Sequence, residues 1–302
     1  MKKFLLLSTL LCCTIITTLI LGEFLVRTMS NPYKVKNKWM MEHSQNINSI
    51  ILGSSHTYYG VRPEYVDSLY NLANVSQNPK YDYFMLEKYG NLCPNLKTVI
   101  LPISYFTLFD KSFEDGDEWY YELYYKIYMD CPYHPGFSKY SAEMFHLSVY
   151  FGKLRNWLLG RSNIKCDSLG WGMGYSLANK IRDIDNANSM AVVKKHTAED
   201  WSYLEENCFY LDKIVSYCKL RNIKLILITT PAWHTYYDNL DKRQLNKMYE
   251  VIRKIPEVKY YDYLKDKRFV EDDFYDPDHL SDIGARKFTL ILKSEVLDTI
   301  LR

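Results

Sequence analysis

Short, mostly apolar runs alternate along this chain with longer stretches whose apolar residues recur every three to four positions. "SIILG" (Ser49–Gly53), "KTVILPI" (Lys97–Ile103) and "IKLILITTP" (Ile223–Pro231) each predict a buried strand, and "VKYYDYL" (Val258–Leu264) a fourth strand. Between them, "KYDYFMLEKYGNL", "WSYLEENCFYLDKIVSYCKLRN" and "DKRQLNKMYEVIRKI" carry helical spacing, and "SDIGARKFTLILKSEVLDTILR" predicts a final helix. "RPEYVDSLY" (Arg62–Tyr70) predicts a helix with Pro63 in its first turn, and "YNLANV" a short strand or loop. Continuous apolar strands separated by helices imply a mostly parallel sheet covered on both faces, a three-layer α/β/α fold. In such folds ligands bind at the carboxyl ends of the strands.

The two ends of this pattern differ from the middle. Lys2 and Lys3 precede nineteen uncharged residues, Phe4–Gly22. At ~1.5 Å per residue these nearly cross a ~30 Å hydrocarbon core. The stretch is an export signal or a membrane anchor. Its exit, "LILGEFLVR", lacks the small residues of a cleavage site, which favours an uncleaved anchor over residues 1–27 with the bulk exported. Residues 28–47 are polar and read as a linker, leaving one domain over 48–302. Between about 105 and 200 the alternation breaks down. That aromatic stretch, with "YYELYYKIYMDCPYHPGF" and "DSLGWGMGYS", predicts a largely helical insertion. Its "GWGMG" (Gly170–Gly174) reads as a surface loop or a Trp-bearing loop over a cleft. It lacks the strand and helix context of a phosphate cradle.

Composition narrows the function. The chain has 302 residues, 47% hydrophobic and 25% charged, as expected of a globular protein. A formal net charge of +2 without a long basic run gives no reason to expect a nucleic-acid partner. The 28 tyrosines suit core packing and equally suit flat sugar rings. The seven cysteines are widely spaced, without a CxxC or a Cys/His cluster, so no zinc site and no disulfide framework are expected.

Chemistry concentrates at two places. "ILGSSH" ends the first strand with Ser54, Ser55 and His56, and "FYDPDHLSDIGA" precedes the last helix with Asp276, Asp278 and His279. A serine hydroxyl needs a base within hydrogen-bond reach, and the base needs a group that fixes its tautomer. A carboxylate three residues upstream of a loop histidine can fold back onto Nδ1, leaving Nε2 for the serine. This makes Asp276 the expected acid, while the adjacent Asp278 is expected to point elsewhere.

The two blocks, "ILGSSH" and "DPDHLSDIGA", resemble those of the SGNH/GDSL hydrolase superfamily. The variant "GSS", the anchor and the long insertion are similar to its membrane-anchored D-alanyl transfer and alginate-type O-acetylation members. The resemblance implies an SGNH/flavodoxin-like fold, with Ser55 as nucleophile, Asp276 as acid and His279 as base. It implies acyl chemistry on a cell-envelope glycan, with an acylated glycan or acyl carrier as substrate and a membrane-bound O-acyltransferase as candidate partner. In the family's second block a glycine N–H serves the oxyanion hole, and here "NLANVSQN" puts Ser76 at that place. The third block's asparagine has no counterpart in "LPISYFTLF", where Ser104 or Tyr105 offers a hydroxyl.

Further candidates lie on the same sheet edge. His56 is a substrate-binding candidate or a loop-packing residue. Trp233 and His234, in "TTPAWHTYYD", follow a predicted strand and are candidates to line the site. The leading expectation is an exported, membrane-anchored serine esterase or O-acyltransferase in the periplasm or on the outer face of the membrane, requiring no metal or organic cofactor. A non-catalytic assembly or glycan-binding module on the same fold, and a lipase or thioesterase, are the rival expectations.

Overall fold

The computed structural model describes residues 1–131, 141–161, 165–181, 184, 186–255 and 257–300. Five strands form a single parallel sheet: β1 (Ser49–Ile51), β2 (Leu69–Asn71), β3 (Thr98–Pro102), β4 (Lys224–Thr229) and β5 (Lys259–Asp262), in the order β2-β1-β3-β4-β5. The α-helices among the described residues, in chain order, are α1 (Lys2–Thr28), α2 (Pro32–His43), α3 (Ser55–Gly60), α4 (Pro79–Gly90), α5 (Tyr120–Met129), α6 (Leu147–Leu158), α7 (Asn186–His196), α8 (Leu204–Leu220), α9 (His234–Tyr237), α10 (Lys242–Arg253), α11 (Asp282–Leu292) and α12 (Asp298–Ile300).

Strand side chains alternate between two faces, and both faces are buried along β1 to β4, while edge strand β5 stays partly exposed. Leu52, Val99, Leu101, Leu225 and Leu227 pack against Met40 of α2, Met85 of α4 and Ile214 of α8. Ile51, Ile100, Ile226 and Ile228 face Ala285, Phe288 and Leu292 of α11. The expected three-layer α/β/α arrangement follows. The chain leaves β1 toward β2 on one side and then crosses to β3 on the other. The sheet's switch point therefore lies between the carboxyl ends of β1 and β3, where an open α/β sheet leaves its crevice.

Two sequence expectations need correction here. Residues 28–47 are not a linker. Asn31 caps α2 through its side chain, which accepts from the Lys34 N–H at 3.0 Å. Tyr33, Lys36 and Met40 are buried, and Trp39 stacks on Tyr70 of β2 at 4.2 Å. Polarity misleads because Lys36 is itself a core residue. It donates to Ala73 O and lies over the Tyr58 ring, and burial pushes its amine down to about 7. The second correction concerns Arg62–Tyr70, which is a short turn at Pro63–Tyr65 followed by β2, not a helix. The Asn71 amide holds it extended by donating to Thr57 O (2.8 Å) and Val61 O (3.0 Å).

The insertion enters between β3 and β4 and is largely helical in its described part, as expected. Its segment around Gly170 is not a free surface loop. Gly170 has φ +90°, and a Cβ there would lie 2.1 Å from Asn71 O, so only glycine lets the strap lie on β2. The Gly172 N–H donates to Tyr58 O (2.8 Å) and the Trp171 indole to Tyr59 O (2.7 Å), tying the strap to α3. All seven cysteines are unpaired.

Candidate active site

β1 ends in a turn built around Gly53. Its φ is +108°, and a Cβ would meet Pro102 of β3 at 2.1 Å. The Gly53 N–H donates to buried Asp82 Oδ1 at 2.7 Å, and Thr57 Oγ1 donates to Leu52 O at 2.7 Å. These bonds fix the step from strand to helix. Ser54 is buried at the cap position, and Ser55 is the first residue of α3. The first N–H groups of a helix have no intrahelical acceptor. Among the described residues nothing else accepts from the Ser55 N–H or the Ser76 N–H. Ser76 has φ +57° and lines the same cleft as Ser55.

Opposite them, the loop before α11 is pinned at several points. Tyr275 N donates to His279 O (2.9 Å), Trp233 N to Pro277 O (2.9 Å), and Ser281 N to Asp273 O (2.8 Å). Ser281 caps α11. Within this loop Asp276 folds back on His279. Its Oδ1 and Oδ2 lie 2.9 and 3.0 Å from Nδ1, and Oδ1 also accepts the N–H groups of His279 (2.8 Å) and Asp278 (3.1 Å). His279 Nε2 lies 2.8 Å from Ser55 Oγ. Ser55, His279 and Asp276 thus form one continuous hydrogen-bonded line.

Asp278 departs from expectation. It does not point away but is buried behind His279, with Oδ1 3.4 Å from Nδ1 and Oδ2 3.0 Å from His56 Nε2. Two N–H groups converging on Asp276 Oδ1 bend the loop tightly enough to turn Asp278 inward. His56 Nδ1 in turn meets Ser104 Oγ at 2.9 Å and Thr230 Oγ1 at 3.2 Å. A hydroxyl can donate to Nδ1 while Nε2–H donates to the carboxylate, so these partners assign a neutral imidazole. Burial pushes the same way, holding His56 below its usual range.

The remaining sequence candidates fall into place around this line. His56 is 5% exposed and reaches no cleft surface, so the substrate-binding expectation is corrected to a positioning one. Ser104 is spent on His56, and its own N–H donates to Thr107 Oγ1, so it does not serve as the expected oxyanion donor. Tyr105 is buried, bonded to Thr197 and the Asp241 N–H. Trp233 packs on Phe274 and braces the loop by its backbone, while the His234 side chain is half exposed beside Asp238. Neither lines the cleft.

Two residues from the insertion do. Tyr175 is sandwiched between Tyr59 and Tyr275, with centroids 3.8 and 3.9 Å away, and its ring centroid lies 5.2 Å from that of His279 in an edge-to-face arrangement. His196 of α7 sits 3.8 Å from Asp278 Oδ2 and bonds Tyr236 Oη at 2.9 Å. The cleft they wall, about 1400 Å³, runs from Ser55 past Phe106 to a charged end with Asp110, Glu118 and Lys195. Burial and Glu118 push the Asp110 carboxyl up to about 7, against the pull of Lys195.

The electrostatics centre on His279. Burial alone would lower its pKa, but Asp276 and Asp278 outweigh burial and raise it well above the usual value. Asp278 is itself depressed, since His279 and the His56 N–H overcome the penalty of burial. His196 is pushed down to about 4 by burial. Donor atoms of His56, Asp278 and His279 lie within 4.8 Å of one another, as a metal would need. Each already has a hydrogen-bond partner in the line described, so a metal would have to displace those bonds.

No family model matches this chain, and no curated protein matches it. Among solved structures it aligns with one described as a "putative platelet activating factor from Streptococcus pneumonia". The alignment has 10% identity and a TM-score of 0.41 and covers 95% of this chain and 98% of the other. A likeness of that size carries no argument about function.

Proposed function

We propose that this protein is a membrane-anchored serine esterase or O-acyltransferase of the SGNH type, acting on acyl esters of a cell-envelope polysaccharide outside the cytoplasm. The observation that carries the reading is the unbroken line from Ser55 Oγ through His279 to Asp276, with links of 2.8 and 2.9 Å. Ser55 attacks the ester carbonyl as His279 Nε2 takes its proton. The imidazolium that forms lies against two carboxylates. The oxyanion of the tetrahedral intermediate is received by the Ser55 and Ser76 N–H groups. His279 then returns the proton to the leaving alcohol. Water or a sugar hydroxyl attacks the acyl-Ser55 ester by the reverse path, completing hydrolysis or transfer.

With Ser104 engaged by His56, no side-chain oxyanion donor stands beside Ser55 among the described residues, and this sets the expected pace. Loss of one such donor costs on the order of 100–1,000-fold, which suits a transferase whose acyl-enzyme must outlive encounter with water. The cleft supports a polar, polymeric acceptor, since its far end carries both acidic and basic side chains and a long acyl chain would leave them unpaired. Helix α1, uncharged from Phe4 to Gly22 and long enough to cross a bilayer, would hold the domain at the membrane. There a membrane-bound O-acyltransferase would be a natural acyl source.

A second reading, a glycan-binding or assembly module without turnover, draws on the same missing donor. Acetyl esters and long-chain esters of one chromogenic alcohol, supplied with and without an oligosaccharide acceptor, separate the readings. Turnover of the acetyl ester, with acetyl passing to the sugar, supports the proposal. Preference for the long chain points to a lipase, and no turnover of either by folded protein points to the module.

A further inference from the structure

Helix α6 lies against the far end of α1. Tyr150 packs on Gly22, where an added Cβ would lie 2.1 Å from Tyr150 Oη and 3.9 Å from Leu154 Cδ1. The junction is bonded as well as packed. Glu23 accepts the N–H groups of Glu143 (2.9 Å) and Met144 (3.1 Å), and Arg27 donates to Ser141 O. Gly22 is the last of the nineteen uncharged residues. With Lys2 and Lys3 at one face of a ~30 Å core, ~1.5 Å per residue puts Gly22 at the other. The α1–α6 contact is therefore at the depth where hydrocarbon gives way to headgroups.

The outer face of α6 is apolar. Leu147, Phe151 and Leu158 project at i, i+4 and i+11, and Phe151 and Leu158 are 54% and 75% exposed. Tyr150, Leu154 and Trp157 widen the stripe on the side toward α1, and Arg155 borders it on the other. No described residue covers this face. A soluble domain seldom leaves such a stripe in water, whereas a helix lying in the plane of a bilayer surface needs one.

We propose that α6 is a second membrane contact, an amphipathic helix embedded in the lipid surface beside the point where α1 emerges. This rests on the reading of α1 as a retained anchor. The occupant of the apolar face is lipid because the face is continuous, through Tyr150 and Leu154, with a helix that is itself surrounded by lipid. One spanning helix leaves a domain free to swivel, and two contacts remove that freedom. The Ser55 cleft, carried on the same body, then keeps a fixed attitude to the bilayer.

The test is photo-crosslinking of the full chain in vesicles of phosphatidylethanolamine and phosphatidylglycerol carrying clickable acyl chains. Benzoylphenylalanine is placed singly at Leu10, Phe151, Leu158 or Leu220. Leu220 ends α8, which packs on α4 and β4 instead, and is 83% exposed. Only variants that keep the wild-type melting temperature are compared. Lipid adducts at Leu10, Phe151 and Leu158, each about 10-fold above Leu220, are expected. Adducts at Leu10 with none at Phe151 and Leu158 overturn the second contact and leave the anchor standing. A chain-to-chain adduct at Phe151 in place of lipid makes the face a contact between copies and overturns it equally. Absence of adducts at Leu10 overturns the anchor and this inference with it.

Discussion

The two carboxylates at His279 are chemically alike, yet their amide variants should fail differently. In Asp276→Asn, two backbone N–H groups at 2.8 and 3.1 Å fix an oxygen at the Oδ1 position. The amide nitrogen must then take the Oδ2 position, 3.0 Å from Nδ1. There it competes with the Oδ1 oxygen, 2.9 Å from Nδ1, and wherever it donates to Nδ1 the proton sits on Nε2, which then faces Ser55 with nothing to accept. A wrong tautomer of this kind costs ~10⁴-fold in kcat. In Asp278→Asn, His56 Nε2–H holds the oxygen at Oδ2, and the amide nitrogen faces His279 Nδ1 across 3.4 Å. Nδ1–H keeps Asp276 as partner, so the tautomer survives and only a charge is lost. At an effective dielectric of about 20, a unit charge at that distance acts on the imidazolium with roughly 5 kcal/mol. Asp276, still bonded to Nδ1, offsets most of it, leaving an expected loss of about 10- to 100-fold. The pH dependence gives a second readout. Catalysis needs neutral His279, so kcat/KM rises with pH through its raised pKa. Removing the Asp278 charge lowers that pKa, and the acid limb of Asp278→Asn should move to lower pH. Ester turnover across pH 5–9, with melting curves to establish folding, decides the matter. Equal losses in the two variants, or an unmoved acid limb in Asp278→Asn, would refute the reasoning.

Three further outcomes are expected. Burial raises buried Asp82 to about 7 from 3.8, so the folded state binds a proton that the unfolded state releases, and stability falls as pH rises between those values. Asp82→Asn keeps an oxygen for the Gly53 N–H and should gain about 2–4 kcal/mol in urea unfolding at pH 8 and nothing at pH 4; equal effects at both would show that Asp82 is ionised throughout. Tyr175→Ala removes two stacked ring pairs and should cost about 1–3 kcal/mol with a fall in kcat, whereas Tyr175→Phe keeps both; a wild-type melting curve for the alanine variant would remove the clamp. Ser54 makes no side-chain capping bond, so Ser54→Ala should turn over esters at nearly the wild-type rate, and loss of activity there would mean that the turn presents Ser54 instead.

Strands β1, β3 and β4 were legible because each is a continuous apolar run, which only a sheet covered on both faces requires, whereas β2, three residues long, fell across a stretch read as a helix. The place of Ser55, Asp276 and His279 was legible because strand ends and a three-residue spacing are local properties. What the sequence hid is the direction of a side chain once it reaches the sheet edge. Ser104, Tyr105 and Trp233 all follow strands, yet each turns into the protein, because His56, Thr197 and Phe274 wait there. Asp278 was misjudged for the converse reason, since adjacency to His279 suggests an opposite face only in an extended strand. The helix over Pro32–His43 escaped notice because a polarity count treats Lys36 as solvent-facing. Tyr175 and His196 arrive from the insertion, and no local spacing ties them to Ser55.

The most direct test of the central claim is labelling of the folded, full-length protein with a fluorophosphonate, followed by mapping of the adduct. The account predicts one phosphonylated residue, Ser55. Labelling should weaken as pH falls and His279 takes up its proton, and it should vanish in Ser55→Ala at an unchanged melting temperature. An adduct at Ser54, or no adduct on protein that melts cooperatively, would contradict it.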